Sequence, residues 1–179
     1  MRPSLPKFVA RAVAVAIVAG AVCATMADAA TMAEIKGWLA TTTSVVRTSP
    51  PPGVRPDRQT VYVSVVGANV EGSIDPAEAL KGYLKNNQQV MIAPIESGGS
   101  GAVFDALLFT RFGGRTRFVG IIPSPNGHLD VAFANGAIVV RTPIYKAGDA
   151  NCCPSAFHWE RDTLRGVKLI KLKEYDTRH

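Results

Sequence analysis

The residues best suited to chemistry in this chain sit in one stretch, Gly148-Asp149-Ala150-Asn151-Cys152-Cys153-Pro154-Ser155. Adjacent thiols have four fates open to them. They form a vicinal disulfide, stay reduced as small half-buried side chains, bridge two molecules, or serve redox or metal handling. A usual disulfide spans Cα atoms about 4.4–6.8 Å apart, whereas neighbours on a trans peptide are about 3.8 Å apart. A Cys152–Cys153 bridge therefore closes a small, strained ring. So short a loop removes little chain entropy, and the bridge would stiffen a turn rather than staple a fold. No helix N-terminus or adjacent base stands by to lower a thiol pKa for catalysis. Asp149, Asn151 and Ser155 flank the pair and are the candidates for contact with a ligand.

Other groups offer less. His128, His158 and His179 are far apart and lack metal-ligand spacing, and zinc usually takes four ligands, so no metal site is expected. Glu160 and Asp162 read as solvated carboxylates at a strand end and its turn. The loop Glu96-Ser97-Gly98-Gly99-Ser100-Gly101 has no Lys-Ser/Thr pair and no following helix to make a phosphate cradle. Around Ser100 the last glycine of a nucleophile elbow is missing. No catalytic residue set and no cofactor motif emerges, so the expectation is a non-catalytic protein.

The N-terminus sets the compartment. Arg2, Lys7 and Arg11 precede the apolar run Ala12–Val22, and Ala27-Asp28-Ala29 offers a small-x-small site, so residues 1–29 read as a secretory signal peptide cut after Ala29. The run is too short for a spanning helix, which needs about 20 apolar residues. Removal of three cations and Asp28 lowers the net charge of +6 to +4. That weak, scattered basic excess, with no nucleic-acid motif, excludes nucleic acid as the expected partner. The protein is expected to be periplasmic or secreted, without a stable membrane anchor.

These residues need elements to position them. Thr31-Met32-Ala33-Glu34 fits a capping box before Ile35, Trp38 and Leu39 and predicts a short helix. Thr48 to Pro56 is proline-rich and reads as an extended spacer. Residues 30–59 are accordingly a short helix and linker, and 60–179 a single domain. Val61–Val66 reads as a strand. Asp75-Pro76-Ala77-Glu78, with Ala79, Leu80, Tyr83 and Leu84 as a stripe and Asn86-Asn87 as the stop, predicts the main helix over Asp75–Lys85.

Strands follow over Val90–Ile95, Val103–Phe112, Arg117–Ile122, Leu129–Ala134, Ile138–Thr142, Ala156–Arg161 and Val167–Glu174. Val103–Phe112 is apolar on both faces and belongs at the centre, under the helix. Asn135-Gly136 is the strongest hairpin signal. In Phe157-His158-Trp159-Glu160 the alternation places Phe157 and Trp159 toward the core, His158 and Glu160 toward water. The predicted fold is α+β, an antiparallel meander of about six to eight strands with the Asp75 helix on one face.

One resemblance adds to this reading. The Gly99-Ser100-Gly101 loop before a hydrophobic strand, the segment from Gly136, and Asp149-Ala150-Asn151-Cys152-Cys153-Pro154-Ser155 as an Asp-x-x-Cys-Cys-Pro-Ser/Thr motif resemble exported bacterial proteins of unknown function. These include relatives of the mycobacterial LppP/LprE lipoprotein family. The resemblance implies an envelope or secreted location and brings no activity. A usable lipobox is absent here, because Val22 precedes Cys23. The functional expectation is an exported module, binding or structural, that contacts an envelope or extracellular component. Redox or metal handling by Cys152 and Cys153 is the alternative.

Overall fold

A computed structural model of the protein describes residues 28–54, 60–68, 70–96, 103–125, 127–150 and 153–178, with only the backbone at 103 and 104. The predicted signal peptide up to residue 27, the loop 97–102, Asn151, Cys152 and His179 lie outside the described residues. In chain order the elements are β1 (Asp28–Ala29), α1 (Met32–Leu39), β2 (Val45–Arg47), β3 (Val61–Val65), β4 (Glu71–Ile74), β5 (Leu80–Tyr83) and β6 (Gln89–Glu96). They continue with β7 (Val103–Phe112), β8 (Arg115–Pro123), β9 (Asp130–Ala134), β10 (Ala137–Ile144), β11 (Ala156–Arg165) and β12 (Lys168–Arg178).

Among the described residues the fold is mostly β, with one short helix. β1–β8 form an eight-stranded sheet, and β9–β12 form a second sheet in the order β12-β11-β10-β9. Strand pairing is antiparallel throughout, from β2–β3 to β11–β12. The single meander of the sequence reading is thus split into two sheets, and the break falls between β8 and β9, after Pro123 makes the last pair with Asp105.

The predicted Asp75–Lys85 helix does not form. Asp75 Oδ1 accepts the Ala77 N–H at 2.8 Å, and the Glu78 N–H reaches the Asp75 carbonyl at 3.1 Å, so the start signals make one turn and stop. Residues 80–83 then pair with β6 as a strand. Gly82 explains the choice. A Cβ there would lie 2.9 Å from the Phe133 ring, which packs across from the second sheet. Glycine suits that close approach and weakens a helix by about 1 kcal/mol. Asn87, with φ 58°, supplies the left-handed residue of the β5–β6 turn; the same property had suggested a helix stop.

The helix over the sheet is α1 instead. Its capping box is complete: Thr31 Oγ1 accepts the Glu34 N–H, and Glu34 accepts the Thr31 N–H at 2.7 Å. Ile35, Trp38 and Leu39 are buried with Val45, Val63, Met91, Leu107 and Phe109, and Trp38 meets Phe109 edge-on at 6.4 Å. Residues 30–47, set apart as a leading piece in the sequence reading, therefore share the core. β7 is central as expected, sending Leu107 and Phe109 to that core and Ala106 and Leu108 to a second one. This second core, with Ile138, Val140 and Leu164, is the layer between the sheets.

Hydrogen bonds join the sheets at the β5–β6 turn. The Lys85 N–H donates to the Gly136 carbonyl at 2.9 Å, Asn86 Nδ2 to the Leu164 carbonyl at 3.0 Å, and buried Gln88 to the Gly166 carbonyl, while a second Gln88 bond, to Thr110 Oγ1 of β7 at 2.7 Å, holds it to the first sheet. Asn135 (φ 53°) and Gly136 (φ 65°) make the expected hairpin turn.

Candidate functional site

The cysteine motif folds as a clasped loop between β10 and β11. Ser155 Oγ donates to Asp149 Oδ1 at 2.7 Å, and the N–H groups of Ser155 and Lys146 donate to Asp149 Oδ2 at 2.9 and 2.8 Å. The Lys146 N–H first, then the Ser155 hydroxyl, hold the Asp149 carboxyl below its usual range. Asp149 and Ser155 thus spend their polar groups on each other and on the local backbone. Cys153 is exposed, and its N–H reaches the Ala150 carbonyl at 2.9 Å. Asn151 and Cys152 lie outside the described residues, and the pairing of the two thiols with them.

The chemistry concentrates on β11 and β12. The alternation there is the reverse of the sequence expectation. Ala156, Asp162 and Leu164 are buried, so the even positions of β11, including His158 and Glu160, face inward, while Phe157 and Trp159 face out. The reason lies in the pairing: His158, Glu160 and Asp162 stand opposite Thr142, Val140 and Ile138, all buried, which fixes that side as the inner one. A one-residue change of register would flip every side chain.

On the outer face one row crosses all four strands: Asp130, Arg141, Trp159, Tyr175. The Trp159 and Tyr175 rings are parallel to within 5°, with centroids 6.3 Å apart. Arg141 lies 4.6 Å from the Phe157 ring and 5.6 Å from that of Trp159, and its Nε donates to Asp130 at 2.7 Å. Lys173 lies 5.0 Å from the Tyr175 ring. Trp159 Nε1 donates to Thr177 Oγ1 at 3.0 Å, and Tyr175 is 45% exposed. The next row pairs Arg161 with Lys173. The result is an aromatic platform edged by three cations.

On the inner face, beyond the apolar layer, lies a charged cluster. His158 Nδ1 is 2.7 Å from Asp176 and Nε2 3.1 Å from Glu160; Lys171 bonds Glu160 at 3.0 Å and also Glu174. The Asp176 bond is the main cause raising the His158 pKa. Desolvation works to raise Glu160, but the Lys171 and His158 bonds overcome it and hold that carboxyl below its usual value. Asp162 is pushed up to about 6 by desolvation and by Glu160.

Strand period alone would put Lys171 and Glu174, three residues apart, on opposite faces. A register shift at Arg161/Asp162 brings them together, because Glu160 pairs with Glu174 while Asp162 pairs with Lys171. Bulges re-aim side chains in this way. Nothing in the residue types marks the position of a bulge, and the sequence reading missed the cluster for that reason. His128 is exposed on the loop before β9.

No family model matches the chain, and no curated protein or solved structure matches it either. Among the described residues no helix is long and apolar enough to cross a membrane.

Proposed function

We propose that the protein is an exported, non-catalytic binding module whose ligand is an acidic saccharide of the envelope or extracellular space, held on the outer face of β10–β12. The observation that carries this reading is the cross-strand row Asp130–Arg141–Trp159–Tyr175 with its flanking Arg161 and Lys173. The C–H faces of a sugar ring are apolar and stack on aromatic rings, and arginine and lysine pair with carboxylates. A cross-strand row on a paired sheet presents these groups already positioned, which limits the ordering entropy of binding. The aromatic surface with its arginines also follows the composition of recognition patches, where aromatics and arginine are enriched.

Export rests on the n-region, the apolar run and Ala27-Asp28-Ala29, and on the resemblance of the Asp-x-x-Cys-Cys-Pro-Ser motif to envelope proteins. Cleavage after Ala29 would remove β1, the two-residue edge strand Asp28–Ala29 that pairs with Leu80 and Lys81 of β5, and would leave the Ala30 nitrogen, which donates to the Ala79 carbonyl at 2.7 Å, as a terminal amine. N-terminal sequencing of exported protein is expected to begin at Ala30, and an intact Met1 would overturn the export reading.

Binding is tested with polygalacturonate against uncharged dextran. Retention on the acidic polymer, lost in Trp159→Ala and weakened by salt, is the expected result. Equal behaviour on the two polymers, or a Trp159→Ala protein that still binds, would remove the platform from consideration. The alternative role for Cys152 and Cys153 is addressed by counting thiols in unreduced, exported protein.

A further inference from the structure

We propose that His158, Glu160 and Glu174 form a binding site for a divalent transition-metal cation of the zinc class on the inner face of β11–β12. The site is distinct from the outer platform and does not depend on that reading. One imidazole nitrogen and two carboxylates are the donor set that borderline cations take, with zinc bonds of about 2.0–2.2 Å. Two such bonds at the tetrahedral angle span about 3.4 Å; His158 Nε2 and Glu160 Oε1 are 3.1 Å apart, and the donor atoms of all three residues lie within 4.8 Å of one another. A side-chain movement of about 1 Å, with Lys171 displaced, completes the site.

Three further observations point the same way. Asp176 sits 2.7 Å from His158 Nδ1, which directs Nε2 at the carboxylates; a carboxylate behind a ligand histidine is the usual outer partner in metal sites. Lys171 bridges Glu160 and Glu174, so an ammonium stands between the two carboxylates a metal ion would join. Its charge offsets one of three acidic groups, Glu160, Glu174 and Asp176, leaving the cluster acidic on a basic chain. Finally, Asp162 is 2% exposed and its Oδ1 has no hydrogen-bond partner. It lies two residues along the same strand face from Glu160, opposite Lys171, within electrostatic reach of Glu160 and Glu174. Buried acceptors are rarely left unpaired in folded proteins, and a cation held by Glu160 and Glu174 would offset the negative charge that these two carboxylates bring to bear on Asp162.

Lys171 makes the proposal testable in both directions, because a resident ammonium competes with the metal. The probe is zinc ion, titrated by calorimetry into the full chain without a histidine tag, in the Cys152→Ser/Cys153→Ser background so that thiols contribute nothing. One zinc per chain is expected. His158→Ala and Glu174→Gln should weaken it at least tenfold, and Asp176→Asn by about 10–100-fold as an orienting partner. Lys171→Met should tighten it. Circular dichroism confirms that each variant is folded, and Lys171→Met gives a gain that misfolding does not imitate. Two results would overturn the site: zinc binding that is the same in His158→Ala as in the parent, or no saturable binding in either the parent or Lys171→Met.

Discussion

The eight-stranded sheet is covered on both sides: β7 sends Leu107 and Phe109 under α1 and Ala106 and Leu108 against the second sheet, all fully or almost fully buried. The four-stranded sheet is covered on its inner face, where Ile138 and Val140 of β10 and Asp162 and Leu164 of β11 are buried, while its last strand β12 is exposed at nearly every residue. The difference separates two tasks. Apolar burial, at about 25 cal/mol per Å², is concentrated where the sheets and α1 meet. The residues proposed to meet a ligand or an ion stand on β10–β12, mostly half-buried or exposed. On the proposed function, stability and recognition fall to different parts of the same antiparallel architecture.

The strongest way to break this comparison is to uncover the first sheet. A chain starting at Thr48 lacks β1, α1 and β2, and with them buried Ile35, Trp38, Leu39 and Val45. Truncating one large core side chain costs about 2–5 kcal/mol, and total stability is about 5–15 kcal/mol. The truncated protein is expected to show no cooperative thermal transition. A normal melting curve would mean that the first core closes without α1.

The joint between the sheets comes next. Gly136 and Gly113 have similar backbone angles, φ 65° and 60°, but a Cβ at Gly136 would lie 2.8 Å from the Lys85 nitrogen, while nothing lies within 4 Å of one at Gly113. Both alanine variants carry the strain of a left-handed residue, about 1 kcal/mol. Only Gly136→Ala also pushes the β5–β6 turn away from the second sheet, and about 3 kcal/mol in total is expected. Denaturant midpoints that match for the two variants would show that the contact at Lys85 yields freely.

How much of this was legible beforehand divides along the same line. β7, β10 and the Asn135-Gly136 turn follow from local rules: an apolar run flanked by turn residues, and a dipeptide that accepts positive φ. α1 was marked by its Thr31/Glu34 box. The Asp75 segment misled because an aspartate, a proline and an asparagine pair serve a tight turn as well as a helix end, and the deciding contact, Phe133 on Gly82, comes from a distant strand. The inward side of β11 was misread because aromatics outweighed His158 and Glu160 in the pattern, whereas the buried partners Ile138 and Val140 decide it. The charged cluster depends on a register shift, a property of two paired strands that neither shows alone. The clasp between Asp149 and Ser155 is local, and their spacing in the cysteine motif was the visible trace of it.

On the outer face of β11–β12, large side chains should matter less to stability. Trp159→Ala removes the stack on Tyr175 and the cover from Arg141, worth about 1 kcal/mol, while leaving both cores intact. The expected signature is a small fall in thermal midpoint together with loss of acidic-polymer retention. A fall as large as that of Gly136→Ala would place Trp159 among the structural residues and erase the contrast between the sheets.

The smallest effect tests how α1 is fastened to the first sheet. Glu34 closes the capping box and receives Lys81 of β5 at 2.8 Å. The Lys81 bond first, then the Thr31 N–H, lower the Glu34 pKa from 4.5 to about 2. A carboxyl depressed in the folded state takes up its proton more readily when the chain unfolds. Its contribution is therefore fully present above pH 4.5 and is lost as pH falls toward 2. The side chain is 38% exposed, and solvent screening reduces the contribution to a few tenths of a kcal/mol at neutral pH. Glu34→Gln should melt slightly below the parent at pH 7, with the gap narrowing below pH 4.5 and closing near pH 2. A gap that stays constant over that range would mean that the charge of Glu34 is not what holds α1 to β5.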